Sequence, residues 1–169
     1  VWIPATDGYP AVADMLRFSG DSAGEPEVVL TGNNYVTVYH GTVSYDPNGL
    51  DRCVQISWIE NKPEDDPEIS SDLPSHPDCN ATRYAFGGQP TVADFNGDGD
   101  LEIAAAGSCW YSVYEFTSDK ELTRYAVHPT RDWSSASTGS TVFDFNGDGA
   151  SEVVFSDEDA LYVWGIDTR

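Results

Sequence analysis

Basic residues are scarce. The chain of 169 residues holds 8 Lys and Arg against 29 Asp and Glu, a formal net charge of −21. Neutralising phosphates requires a basic face, so nucleic acid is not expected as a partner, and an anionic membrane surface fails on the same ground. No apolar run approaches the roughly 20 residues of a membrane-spanning helix, so no membrane insertion is expected. Cysteine and histidine are few as well, at 3 each. None of the cysteines forms a C-x-x-C, and His40, His76 and His128 are scattered, which leaves no zinc pattern. H-E-x-x-H and the P-loop are missing, and no Cys–His pairing suggests a nucleophile. The chain itself is therefore expected not to be an enzyme. Helical periodicity is also missing. Gly, Pro, Asn, Asp and Ser punctuate the sequence at short intervals, as in all-β proteins. With 40% hydrophobic and 12% aromatic residues, a packed β core is within reach at this length.

What is present is a repeat. Asp94-Phe95-Asn96-Gly97-Asp98-Gly99-Asp100-Leu101-Glu102 returns fifty positions on as Asp144-Phe145-Asn146-Gly147-Asp148-Gly149-Ala150-Ser151-Glu152. Oxygen-bearing side chains occupy the first, third, fifth and ninth places, and glycine the sixth. Ca²⁺ takes six to eight oxygens at about 2.3–2.6 Å, and a short loop supplies several only by curling around the ion. The glycine permits the turn, since it alone adopts left-handed angles cheaply. The seventh residue ligates through its carbonyl, so its identity is free. The expected ligands are Asp94, Asn96, Asp98, the Asp100 carbonyl and Glu102 in one loop. In the other they are Asp144, Asn146, Asp148, the Ala150 carbonyl and Glu152. An EF-hand opens alike but needs flanking helices and a carboxylate at the twelfth place. Here that place holds Ala105 and Phe155, and the flanks are short β-branched or apolar runs. Each loop is therefore read as the turn of a β-hairpin.

A third, degenerate copy appears once the period is sought. Pro10-Ala11-Val12-Ala13-Asp14 matches Pro90-Thr91-Val92-Ala93-Asp94, and Pro26-Glu27-Val28-Val29-Leu30 matches Leu101-Glu102-Ile103-Ala104-Ala105. The loop between is longer and has lost the motif order; Asp14, Asp21, Glu25 and Glu27 are its weaker candidates for a third Ca²⁺. Each copy continues into an aromatic-rich alternating stretch (Asn34–Tyr39, Trp110–Phe116, Ala160–Trp164). The first two add a fourth stretch, Cys53–Trp58 and Leu122–Val127. Residues 1–169 thus read as one region of repeat units at about 8–60, 86–128 and 139–169, the last incomplete. Residues 61–85, rich in proline and acid, form a long loop insertion.

Four antiparallel strands per unit at this period is the pattern of β-propeller blades. The chain resembles the FG-GAP or VCBS repeats of the integrin-α-like propeller family. The resemblance rests on the D-x-N-x-D-G-x-x-E loops, the lead-in Phe86-Gly87-Gly88 and the small-residue strand end Ala106-Gly107-Ser108. It implies an all-β, seven-bladed propeller with Ca²⁺ in hairpins between first and second strands. Three units are too few for such a ring, so the chain is read as a piece of a longer protein, with partner copies completing the ring as the alternative.

On that fold, the loop leaving a fourth strand and the loop joining second to third strands share a face. This favours a Cys79–Cys109 disulfide, with Cys53–Cys79 as the rival pairing. Asn80-Ala81-Thr82 is a glycosylation sequon if the source is a eukaryote. The functional expectation is an extracellular module, Ca²⁺-stabilised, that binds a protein or glycan in adhesion. The alternatives are the propeller portion of a secreted polysaccharide lyase or hydrolase, or a lectin using Trp58, Trp110, Trp133 and Tyr84 as sugar platforms.

Overall fold

Among the described residues, alternation of inward and outward side chains along short runs produces eleven strands. In the computed structural model of the chain they pair into three antiparallel sheets. The structure describes residues 9–16, 26–32, 35–44, 52–60, 79, 88–117, 121–133 and 138–166. The insertion expected at 61–85 falls outside these apart from Cys79, as do Asp21, Glu25 and Tyr84. The first sheet, blade 1, orders β1 (Pro10–Ala13), β2 (Glu27–Gly32), β3 (Tyr35–Ser44) and β4 (Arg52–Glu60) as β1-β2-β3-β4. Blade 2 is β5 (Thr91–Ala93), β6 (Glu102–Gly107), β7 (Trp110–Phe116) and β8 (Leu122–Pro129), in the same meander. Blade 3 has β9 (Thr141–Phe143), β10 (Glu152–Ser156) and β11 (Leu161–Trp164). No α-helix occurs among the described residues. The fold is all-β, with propeller-like blades. One strand departs from its sequence reading: β3 continues beyond Tyr39 to Ser44, and its pairing with β4 slips at Val38/Tyr39 and His40/Val43. Such bulges break the period-two pattern without ending the strand.

Register places equivalent residues in rows across each sheet. Val12, Val28 and Tyr39 lie side by side in blade 1, Val92, Ile103 and Tyr114 in blade 2, and Val142, Val153 and Trp164 in blade 3. The next row, one residue along each strand and hence on the opposite face, is Ala11–Val29–Val38, Thr91–Ala104–Val113 and Thr141–Val154–Val163. Blade 1 turns Val29, Val36 and Val38 toward Ile103, Ala105 and Tyr114 of blade 2, and Met15 joins them. Blade 2 turns Ala104, Ala106, Tyr111 and Val113 toward Val153 and Phe155 of blade 3. Strand β6 is buried along its whole length because it is covered on both faces. Its run Ala104-Ala105-Ala106 follows from that, since two close neighbours leave space for little more than a methyl group.

Hydrogen bonds pin one blade to the next. The Thr31 hydroxyl donates to the Gly88 carbonyl. Ser140 Oγ lies 2.7 Å from Thr91 Oγ1 and 2.6 Å from the buried Tyr111 hydroxyl. Leu122 N–H reaches Ser57 Oγ at 3.3 Å.

The turn from β6 to β7 is equally constrained. Cys109 adopts φ 70°, a left-handed angle that a side chain tolerates only when its surroundings hold it. Its N–H donates to the Asp132 carbonyl at 3.0 Å, its own carbonyl accepts from Thr130 N–H at 2.8 Å, and its sulfur is bonded to Cys79. The Cα atoms of the disulfide are 5.3 Å apart. Beside this turn, a Cβ on Gly107 would stand 2.3 Å from the fully buried Trp110 ring. Gly107→Ala should therefore lower the unfolding free energy by about 1–3 kcal/mol through overpacking. Gly165→Ala, with nothing within 4 Å of the added atom, should change it by less than about 0.5 kcal/mol. Urea titration followed by tryptophan fluorescence checks both.

Candidate metal centre

The two repeated loops join the first strand of a blade to its second, and each curls around its leading aspartate. Asp94 Oδ1 accepts the Gly97 N–H at 2.6 Å and Oδ2 the Gly99 N–H at 2.9 Å. Asp144 does the same with Gly147 at 2.6 Å and Gly149 at 3.0 Å. Asn96 Oδ1 accepts Asp98 N–H at 2.9 Å, and Asp98 Oδ1 accepts Asp100 N–H at 2.8 Å. Their counterparts Asn146 and Asp148 repeat both bonds at 2.8 Å. This chain of side chain-to-backbone bonds requires left-handed residues at the two glycines, and the angles agree: φ is 77° at Gly97 and Gly147, and 92° and 97° at Gly99 and Gly149.

The ninth residue closes the loop. Glu102 Oε2 accepts the Phe95 N–H at 2.8 Å, and Glu152 Oε2 the Phe145 N–H at 2.7 Å. In blade 1 Glu27 makes the same bond to Met15 N–H at 2.9 Å and a second to Leu16 N–H at 3.2 Å. Thus the degenerate loop keeps its closing glutamate although its motif is gone. Glu27 is completely buried, and its Oε1 finds no hydrogen-bond partner among the described residues. Asp14 is exposed at the start of that loop. The same loop spells Gly20-Asp21-Ser22-Ala23-Gly24, a G-x-S-x-G run that lies outside the described residues.

Negative charge is crowded here. Burial pushes the Glu102 carboxyl up to about 7, against the Phe95 N–H bond that lowers it, and the charges of Asp98, Asp94 and Glu115 add to the rise. Because the folded value lies above the ordinary one, stability from this group is present at low pH and is lost as pH rises toward 7. In the second loop the Asn146 NH₂ donates to Asp148 Oδ2 at 2.9 Å and Glu152 Oε1 at 2.8 Å. Its partial positive charge thus sits between two carboxylates. Among the described residues, no three His, Cys, Asp or Glu side chains gather as a metal-holding group. The donor chemistry nonetheless fits a hard cation. Each loop offers carboxylate and amide oxygens within nine residues, and each has its glycines where the backbone must turn.

The loops also touch each other. Ser151 N–H donates to the Asp94 carbonyl at 2.8 Å, and the backbone of Gly97 lies against Ala150. Phe95 is buried between blades 2 and 3, whereas its twin Phe145 is 58% exposed and packs edge-on against Phe143. Sequence comparison treats the two phenylalanines alike, because it does not reveal which blade has a neighbour.

A separate cavity of about 300 Å³ opens where blades 2 and 3 meet, lined by His128, Thr130, Arg131, Asp157, Tyr162 and Trp164. His128 stacks on Trp164 with ring centres 4.7 Å apart, and burial lowers its pKa. Arg131 pairs with Asp159. Burial acts to raise Asp157, but the N–H groups of Arg131, Asp159 and Ala160 and the Arg131 charge outweigh it and hold its carboxyl below the ordinary value. Of the aromatics proposed as sugar platforms, the described ones, Trp58, Trp110 and Trp133, do not line this cavity. Trp110 is fully buried, while Trp58 is 47% exposed and packs edge-on with Tyr35.

Since Gly97 and Gly147 share φ 77°, and an added Cβ would meet only ordinary contacts at the first and open space at the second, Gly97→Ala and Gly147→Ala should cost the same. The expected loss is about 1–2 kcal/mol each, the strain of a left-handed alanine. Chemical denaturation of the two variants in parallel measures it; a much larger loss at Gly97 alone would mean that loop contact rather than backbone angle decides.

No curated protein matches this chain. A family model described as an FG-GAP-like repeat matches residues 94–155, from the leading aspartate of one loop to the strand that follows the other. That segment, with both loops inside it, is similar to an FG-GAP-like repeat.

Proposed function

We propose that the chain is a calcium-stabilised, noncatalytic binding module that works outside the cell. One Ca²⁺ is held in each intact hairpin loop, by Asp94, Asn96, Asp98, Glu102 and the Asp100 carbonyl, and by Asp144, Asn146, Asp148, Glu152 and the Ala150 carbonyl. The observation that carries this reading is the duplication of one oxygen-lined, glycine-turned hydrogen-bond network in two blades. The ion supplies positive charge where carboxylates crowd, and its role is structural. The chain's own contribution is to hold the oxygens in place through the backbone N–H groups. For a third ion, Glu27 is the candidate with an oxygen to spare.

Extracellular action is supported by the Cys79–Cys109 bond, since disulfides persist in oxidising compartments. Millimolar calcium there also suits loops of this type. The partner is a protein or a glycan. A glycan is favoured by the cavity beside Trp164 and Tyr162, which combines aromatic edges with Arg131, Asp157 and Thr130 as hydrogen-bonding groups.

Calorimetric titration of the chelator-treated chain with Ca²⁺ should show two sites, and Asp94→Asn or Asp144→Asn should each leave one. At 10–100 times the dissociation constant, each ion should add about 1.4–2.7 kcal/mol to stability, so EDTA should lower the Tm. No binding heat together with an unmoved Tm rejects the calcium reading. A glycan array, run with a lyase assay on any sugar that binds, separates a binding module from an enzyme.

A further inference from the structure

The two intact loops offer the same oxygens, yet their surroundings differ by a charge that the motif does not contain. The closing glutamate of each loop begins the second strand of its blade, and the third strand runs antiparallel beside it. In blade 1 the residue directly across from Glu27 is His40. In blade 2 the pairing of Ile103 with Tyr114 sets Glu115 across from Glu102, one step further along both strands. In blade 3 the pairing of Val153 with Trp164 sets Gly165 across from Glu152 in the same way. One position thus carries a histidine where the motif is lost, a carboxylate beside the Asp94–Glu102 loop, and no side chain beside the Asp144–Glu152 loop.

Directly opposite residues of an antiparallel pair have Cβ atoms about 4.5–5.5 Å apart, and like charges placed there destabilise the sheet. Glu102 and Glu115 are such a pair. With Asp98 and Asp100 they line a cavity of about 210 Å³, which they share with Met15 and Phe116. Among the described residues, none that lines this cavity is Lys or Arg. Glu115 is half-buried, and partly buried charges are screened less than exposed ones. Its charge reaches Glu102, adding to a rise in pKa whose first cause is burial. A cation in the first loop turns this arrangement from a cost into an attraction.

We propose that Glu115 serves the first loop as a further carboxylate, outside the motif, and makes Asp94–Glu102 the tighter of the two Ca²⁺ sites. The assignment rests on both loops holding Ca²⁺ as proposed above. Affinity at oxygen-lined Ca²⁺ sites is tuned by the number of charged groups around the ion. Glu115 acts through its charge: one unit charge on a divalent ion roughly 8 Å away changes affinity by about 5- to 30-fold. Blade 3 has Gly165 at this place and lacks that contribution. Asp100, which stands where the second loop has Ala150, is the other difference between the sites, so the substitutions below isolate Glu115.

Calorimetric titration of the whole chain with Ca²⁺, one loop disabled at a time, tests it. Asp144→Asn leaves the first loop and Asp94→Asn the second; the first should bind more tightly. Adding Glu115→Gln should weaken the first loop about 5- to 30-fold and leave the second within about twofold. Gly165→Glu, at a position where an added Cβ meets nothing within 4 Å, should tighten the second loop. Raising the ionic strength should shrink both effects, since they act through charge. In EDTA, Glu115→Gln should raise the Tm by removing a like charge, and added Ca²⁺ should then lift the Tm less than it lifts the parent chain. Equal affinities in the two single-loop chains overturn the proposal. So does Glu115→Gln if it leaves the first loop's affinity unchanged, which would assign any difference to Asp100, or if it weakens both loops alike. No binding heat in any of the chains rejects the calcium reading itself, and the proposal with it.

Discussion

The bond between the glutamate that ends each inner hairpin and the N–H of the residue following the leading aspartate recurs in all three blades. It is made by Glu27 to Met15, Glu102 to Phe95 and Glu152 to Phe145. A hydrogen bond to a charged group contributes about 1.5–3 kcal/mol, and a buried N–H deprived of its partner costs a similar amount. The bond fixes the length of the hairpin and with it the register of first strand on second. Register in turn decides which row of side chains faces the neighbouring blade, because a slip of one residue would exchange the two faces. The arrangement carries an electrostatic cost, visible in the raised pKa of Glu102. A carboxylate is placed where burial and other acids oppose its charge, and a cation beside it would relieve that opposition.

Much of this was legible in the residues. The duplicated loop, the alignment of Glu27 with Glu102, and the positions of the strands all follow from spacing and alternation. The ends differ by a residue or two, and β3 differs by more because its bulges hide the alternation. What sequence cannot show is which faces are covered. Trp110 reads as a candidate sugar platform, yet it is wholly enclosed, because it closes the turn against Gly107. Phe95 and Phe145 occupy the same place in the motif, and Phe95 is covered by residues of blade 3. The alanine run of β6 carried the one local hint, since small residues in a strand imply close neighbours on both sides.

Contact between the loops gives the two sites a shared mechanics. The Asp94 carbonyl belongs to the leading aspartate of one loop, and the N–H that it accepts belongs to Ser151, immediately before the closing glutamate of the other. A Cβ added to Gly97 would come within 3.6 Å of Ala150, so the seventh place of the second loop sits beside the first loop. Asp100, at the same place in the first loop, is exposed. The motif sets the turn, the glutamate sets the register, and the residues free of both duties are chosen by packing between blades. Disorder in one loop would remove a hydrogen bond and a packing surface from the other. The hydrogen bond from Ser151 to Asp94 therefore ties one hairpin to the other.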